Sequence, residues 1–399
     1  MTIIGKNGSR FEIKMGFNEK KDSENKSRLE GILYLGTGDF LGGIIVAVFW
    51  LFLASMISVE DYGQLHYYLG IAGIAYVLTL IGTRNTMIVY VAKRVQIYPT
   101  LSIISIIGGI TTAIVVLFLF FRLDISLLLI VFVINDICLG YILGKKLFRT
   151  YSKYIIIQKS LTVTLGLSFF YLFGVDGILY GIGLSYIHFL IIFFQIFKGQ
   201  KIHFDHLKGK YGFILNNYGI SLVGGFKANI DKIIIAPLLG LTLLGNYALA
   251  LQFFVLLTLL PMTISKVFLP YDASGIKNNK LKFSTLLLAI GISLTSYFLS
   301  PYIIPLFFEK FSEVVLGIQI LSIGVIPSTA STLLSSRLLG LEKSKHVILG
   351  LLLFLTTLVL GILLFGENYG IFGITISYVA GLSFNAFYLF LATKFLKIF

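Results

Sequence analysis

Cysteine is almost missing: the 399 residues hold one, Cys138, inside an apolar run. A disulfide framework and a thiolate metal site are thereby excluded, and Cys138 reads as a small buried hydrophobe. Charge is scarce as well, at 13% of residues, where a soluble domain carries about 25%. So little polar surface cannot cover a core in water, which makes lipid the solvent. No Walker motif is present, so direct ATP hydrolysis is excluded. No His/Cys/Asp/Glu group has the spacing of metal ligands, so no metal site and no catalytic residue is expected. Long loops are missing too, which leaves no extramembrane segment for a nucleotide-sugar site. The first thirty residues carry seven Lys/Arg and five acidic residues and no apolar stretch. They lack the apolar segment of a cleavable signal peptide and read as a solvated cytoplasmic tail.

What is abundant is apolar. Hydrophobic residues make up 57% of the chain and aromatic ones 15%, with 40 glycines, and the mean hydropathy is +0.93. A helix needs about 20 mainly apolar residues to span a bilayer. Twelve such stretches can be marked: 31–58, 66–92, 99–121, 123–144, 154–173, 178–197, 213–238, 243–268, 283–300, 313–337, 346–365 and 370–393. They are separated by polar clusters or by punctuation such as Pro99, Asp176-Gly177 and Pro301. The expected fold is all-α, a polytopic membrane protein of about twelve transmembrane helices.

The net charge of +14 invites a nucleic-acid partner, and its distribution removes the need for one. With residues 1–30 placed inside, the loops on that side and the two tails hold 26 Lys/Arg, against Arg122 and Lys310 in the loops of the other side. This is the positive-inside bias of a membrane protein. A wrong span count would scramble the alternation. Both termini are therefore expected in the cytoplasm of a multi-pass cell-membrane protein.

The chain also repeats. Gly42-Gly43 recurs as Gly224-Gly225 and Gly63 as Gly245, each displaced by 182 positions. Phe173-Gly174 recurs as Phe365-Gly366, displaced by 192, with Gly181-Ile182 matching Gly373-Ile374 at the same offset. The matches fall at equivalent places in a six-helix unit. They divide the chain into a tail (1–30), an N-lobe (31–197), a basic cytoplasmic linker (198–212) and a C-lobe (213–399). Because six is even, both lobes enter the membrane from the same side, an arrangement suited to two bundles rocking around a central path.

Four Lys/Arg fall in no loop: Arg84, Lys159, Lys227 and Lys232. Three carboxylates, Asp39, Asp136 and Asp231, also lie within spans. A charge at the bilayer centre costs about 2.5–3.5 kcal/mol on insertion scales, so each must face a cavity or find a partner. Lys227 and Asp231 are four apart on one helix face; they either pin that helix to its neighbours or line a cavity between the lobes. Asn229 and Lys232 point elsewhere on the same helix. Arg84, followed by Asn85, either snorkels to the headgroups or faces the cavity, where a guanidinium suits phosphate oxygens; Asp39, at similar depth, is a candidate partner. Asp136 pairs with Lys159 or faces the cavity. His188, alone on an apolar helix, reads as a packed, hydrogen-bonded side chain. Pro327, midway along its span, removes a helical hydrogen bond and is a hinge candidate.

The stretch from Leu53 through Val59-Glu60-Asp61-Tyr62-Gly63, continuing past Gly82 to Tyr90-Val91-Ala92, resembles Wzx-type polysaccharide flippases. These belong to the multidrug/oligosaccharidyl-lipid/polysaccharide (MOP) exporter superfamily. Asp231, Gly240 with Gly245-Asn246-Tyr247-Ala248, and Tyr369-Gly370-Ile371-Phe372-Gly373-Ile374 are similar to it again. The resemblance implies a twelve-helix, two-lobed transporter moving a polyprenyl-(pyro)phosphate-linked glycan from the cytoplasmic to the outer leaflet. It also implies cavity cations that contact the substrate, for which Arg84, Lys227 and Lys232 are the candidates by position, with Asn85 and Asn229 beside them.

Coupling to a proton or sodium gradient would rest on Asp231 and Asp39; no other cofactor is expected, and the partners are the lipid-linked glycan and membrane lipid. A multidrug or cation antiporter of the same superfamily is the alternative, disfavoured by the lysines beside Asp231. A membrane glycan polymerase or ligase is a third reading, disfavoured by the lack of a large external loop. A transporter, not an enzyme, is the expectation.

Overall fold

The protein is described from a computed structural model over residues 12–81, 83–200, 202–273, 279–341 and 343–396, with backbone alone over 12–30, 32, 206, 266–267 and 269–273. Gly82 and the basic residues Lys6, Arg10, Lys201, Lys277 and Lys397, all used in the sequence reading, lie outside the described residues, as do the first eleven residues of the expected tail. Among the described residues every regular element is helical. Lipid dictates this, since a backbone in hydrocarbon must satisfy its own N–H and C=O groups.

The helices are α1 (Glu12–Met56), α2 (Val59–Thr79), α3 (Arg84–Ala92), α4 (Tyr98–Phe120), α5 (Leu123–Gly144), α6 (Phe148–Phe173), α7 (Val175–Leu184) and α8 (Phe189–Phe197). A 3₁₀ turn at Phe204–Leu207 leads to α9 (Tyr211–Leu239), α10 (Leu241–Ala273), α11 (Asn279–Phe307), α12 (Val314–Gly340) and α13 (Ser344–Phe395). Among the described residues, eight helices are long and apolar enough to cross a membrane, and the bent pairs α2–α3 and α7–α8 add two crossings if each is one span. α9, at 29 residues, has the length for a further crossing and carries the charges already noted.

α13 contains the last. Its 52 residues would extend about 78 Å as one helix, far beyond the roughly 30 Å of hydrocarbon. Gly370, at φ 52°, breaks it into two legs. The legs run antiparallel: Gly350 lies against Asn385, Gly361 against Ser377 and Gly381 against Phe354. Twelve crossings result.

Several sequence boundaries shift. The second crossing is not one helix over 66–92 but α2 and α3, bent by 43°, with Ser58 capping α2 at Asp61 N and Thr83 capping α3 at Thr86 N. The sixth breaks likewise between α7 and α8, where the His188 ring nitrogens face the carbonyls of Ser185 (3.1 Å) and Tyr154 (3.2 Å). Pro301 does not end its helix: α11 runs through both Pro301 and Pro305, as proline is tolerated where neighbouring helices re-satisfy the backbone. Pro327 lies inside the uninterrupted α12. Cys138 is buried, its thiol directed at the Phe189 carbonyl.

The repeat has a physical basis at Gly63 and Gly245. A Cβ on Gly63 would strike the carbonyl oxygen of Leu241, and one on Gly245 would strike that of Val59. Both contacts are the same under the 182-residue displacement, so a pseudo-twofold axis passes between the two glycines. Away from the axis, Gly43 meets Leu259 where Gly225 meets Val77, again one contact repeated. Thus α1 packs on α10 as α9 packs on α2.

The later repeat needs a correction. The glycine with positive φ at the turn before α7 is Gly174 (71°), and its counterpart in α13 is Gly370 (52°). Three residues on, a Cβ at Gly177 would meet the Phe169 carbonyl, as one at Gly373 would meet that of Phe365. The hairpins are therefore related by 196 positions, not 192. A turn that requires a left-handed glycine outweighs the likeness of the flanking side chains.

Helix alternation puts the turns near 57, 122, 174, 240, 310 and 370 at the end of the bundle where Gly63 meets Gly245. There Arg122 is held by Asp124 (2.7 Å) and Asp176 (2.8 Å) and lies over the Tyr68 ring.

Candidate functional site

α9 positions three of the expected residues around one cavity. An opening of about 360 Å3 is bounded by α9, α10, α12 and α13, with a single side chain, His66, supplied from α2. Its size falls in the range of small-ligand sites. Lys227, Asp231 and Lys232 line it, with Gln252, Ser328 and Tyr378 opposite.

Asp231 is buried and saturated. One carboxylate oxygen accepts from the Lys232 backbone N–H (2.9 Å) and from its Nζ (3.3 Å); the other accepts from the Tyr247 hydroxyl (2.9 Å). The Lys232 ammonium also donates to the Ala228 carbonyl (2.6 Å). Lys227 differs. No carboxylate among the described residues lies within ion-pairing distance of it; its Nζ sits 4.9 Å from the centre of the Phe354 ring. A cation–π contact of this kind contributes about 0.5–2 kcal/mol and leaves the ammonium's donors free for a ligand. The cavity therefore holds two lysines against one carboxylate that is already engaged.

Asn229 lies at the edge of this site, in the packing between α9 and α2: its amide donates to the Gly225 carbonyl (3.0 Å) and presses on Gly73. Arg84 is placed elsewhere. Its guanidinium pairs with Asp136 at 2.7 Å, and its backbone N–H donates to the same carboxylate at 2.9 Å. Asp136 is thus the partner of Arg84 and closes the open end of α3. Asn85 is exposed on the first turn of α3, and Asp39 accepts from the Tyr151 hydroxyl (3.1 Å). The expected set of Arg84, Asn85, Lys227, Asn229 and Lys232 splits, and only the two lysines share the cavity.

Sequence reasoning missed His66, Tyr247 and Tyr378. A histidine within a span is a flag in its own right. The tyrosines carry no comparable signal: packing brings Asp231 to Tyr247 and places Tyr378 on the cavity wall.

No described protein family matches the chain by sequence, and no curated protein does. Solved structures do. The MATE multidrug transporter DinF-BH, in a ligand complex, superposes with a TM-score of 0.69 at 13% identity, over 92% of this chain and 95% of that one. The inward-facing conformation of a multidrug resistance MATE family transporter of the MOP superfamily gives 0.66 at 13% identity, over 92% and 97%. The lipid II flippase MurJ, in an inward closed conformation, gives 0.59 at 15% identity, over 94% and 87%. At these identities the likeness carries the fold alone: the chain is a multi-pass, all-helical membrane protein with the fold of these solved structures.

Proposed function

We propose that the protein is a flippase that carries a polyprenyl-linked oligosaccharide from the cytoplasmic to the outer leaflet, in the manner of the Wzx-type transporters its sequence resembles. The observation that carries this reading is Lys227, a cation without a counterion among the described residues, in a cavity whose one carboxylate is already bound by Tyr247 and Lys232. Such a site suits the phosphate or diphosphate that joins glycan to lipid, because an ammonium donates to phosphate oxygens as a point charge. The glycan would occupy the polar cavity while the polyprenyl chain stays in hydrocarbon. The N-lobe (31–197) and C-lobe (213–399) then rock about the pseudo-twofold axis.

In this reading both termini, the tail 1–30 and the linker 198–212 face the cytoplasm, and the Gly63–Gly245 contact closes the outer end. Pro327 is the hinge candidate on α12. Asp231 and Asp39 are the carboxylates assigned to coupling with a proton or sodium gradient; transport that continues at full rate after both gradients are collapsed removes that role. The likeness to multidrug transporters keeps a drug or cation antiporter as the alternative. Depleting the protein decides between them. Lipid-linked glycan trapped on the cytoplasmic leaflet supports the flippase, whereas an unchanged leaflet distribution with altered dye efflux refutes it.

A further inference from the structure

His66 is the one side chain that α2 contributes to a cavity otherwise built by α9, α10, α12 and α13. It is 4% exposed, and its Nε2 has no hydrogen-bond partner. Leaving a buried polar nitrogen unpaired is costly, so such groups in native proteins call for an explanation. Packing holds the ring fixed. Trp50 and Tyr62 lie against it, each with ring centroids 4.7 Å away. One turn further along α2, Gly70 rests on the Lys232 stem. The orphaned nitrogen and the two lysines thus bound the same space from opposite lobes.

We propose that His66 is a substrate-binding residue that completes an anion site with Lys227 and Lys232, its Nε2–H donating to an oxygen of a phosphate or diphosphate ester. This rests on the flippase reading and sharpens it by naming the group recognised. No bond is made or broken. The contact uses the imidazole tautomer that carries its proton on Nε2. Because His66 sits on α2 and the lysines on α9, an anion held by all three ties the lobes together in the arrangement seen here. An empty site leaves that seam to packing alone.

The test uses the purified full chain in lipid nanodiscs, with three probes: polyprenyl diphosphate, the uncharged polyprenol of equal length, and inorganic diphosphate. Polyprenyl diphosphate is expected to bind at least tenfold more tightly than polyprenol. His66→Phe fills the same space without a donor and should weaken diphosphate binding about tenfold, the worth of one hydrogen bond to a charged group. His66→Gln restores an N–H and should return most of the affinity, which a merely structural role would not predict. Inorganic diphosphate binding as tightly as polyprenyl diphosphate assigns the site to a free anion, and weaker binding assigns it to a lipid headgroup; either result supports the anion site. Unchanged affinity in His66→Phe overturns the role of His66 and leaves the flippase reading intact. Equal binding of polyprenol and polyprenyl diphosphate to the wild-type protein overturns the anion site itself.

Discussion

Two charge clusters, one in each half of the molecule, are built in opposite ways. In the first, Arg84 meets Asp136 twice, through side chain and backbone, at a place where the second crossing breaks, although the Arg84 Nε is left without a partner. The aspartate stands in for the helical carbonyls that the break between α2 and α3 removes. In the second, Asp231 gathers Tyr247 and Lys232 around itself, and Lys227, one helical turn before it, is left facing a cavity. Neither arrangement is visible from the count of intramembrane charges, which is similar in both halves. The difference lies in partners: Arg84 is paired with a carboxylate that also closes the end of a helix, while Lys227 has no carboxylate within reach among the described residues.

That contrast can be broken at four points. The largest effect is expected at Asp136. Asp136→Ala strands the Arg84 guanidinium and the first N–H of α3, and should cost about 3 kcal/mol, read as a lowered thermal unfolding midpoint in detergent. Unaltered stability would mean that Arg84 finds another acceptor and that the pair is not structural. Next comes the axis. Gly245→Leu places a side chain against the Val59 carbonyl, which as backbone cannot swing away. That end of the bundle should open, at a cost of roughly 1–3 kcal/mol. An unchanged thermal unfolding midpoint in Gly245→Leu denies that the glycines set the closure.

A smaller loss, about 1 kcal/mol, is expected for Asp231→Asn, because an amide oxygen can still accept from Tyr247 while the ion pair with Lys232 is lost. A loss as large as that of Asp136→Ala would place Asp231 in the same structural class and erase the distinction between the halves. Lys227→Gln should change stability least, within about 0.5 kcal/mol, and yet reduce transport at least tenfold. Normal transport in a well-folded Lys227→Gln protein removes the lysine from the site.

The sequence alone disclosed more of the architecture than of the site. Span length and the one-sided placement of Lys and Arg follow from the bilayer itself, so the crossings could be read directly. Even the close approach of Gly63 and Gly245 left a trace, as a displacement of 182 that the structure explains by their contact across the axis. The break between α2 and α3 leaves no mark in the sequence because the apolar character carries on across it. In the second repeat, flanking side-chain likeness points to Gly366, four residues from the true counterpart Gly370, whose turn geometry side-chain identity does not record. The cavity depends on meetings between different helices, Asp231 with Tyr247 and His66 with Lys232, and so does the separate pair of Arg84 with Asp136. Helical periodicity specifies the face on which a residue lies and is silent about which helix that face will meet.

The most direct measurement is reconstitution into liposomes loaded with a fluorescent polyprenyl diphosphate oligosaccharide, following its arrival in the opposite leaflet. Protein-dependent translocation is expected, which Lys227→Gln slows at least tenfold and which a cationic dye neither shares nor inhibits. Translocation of the dye with no movement of the lipid-linked sugar would contradict the flippase reading.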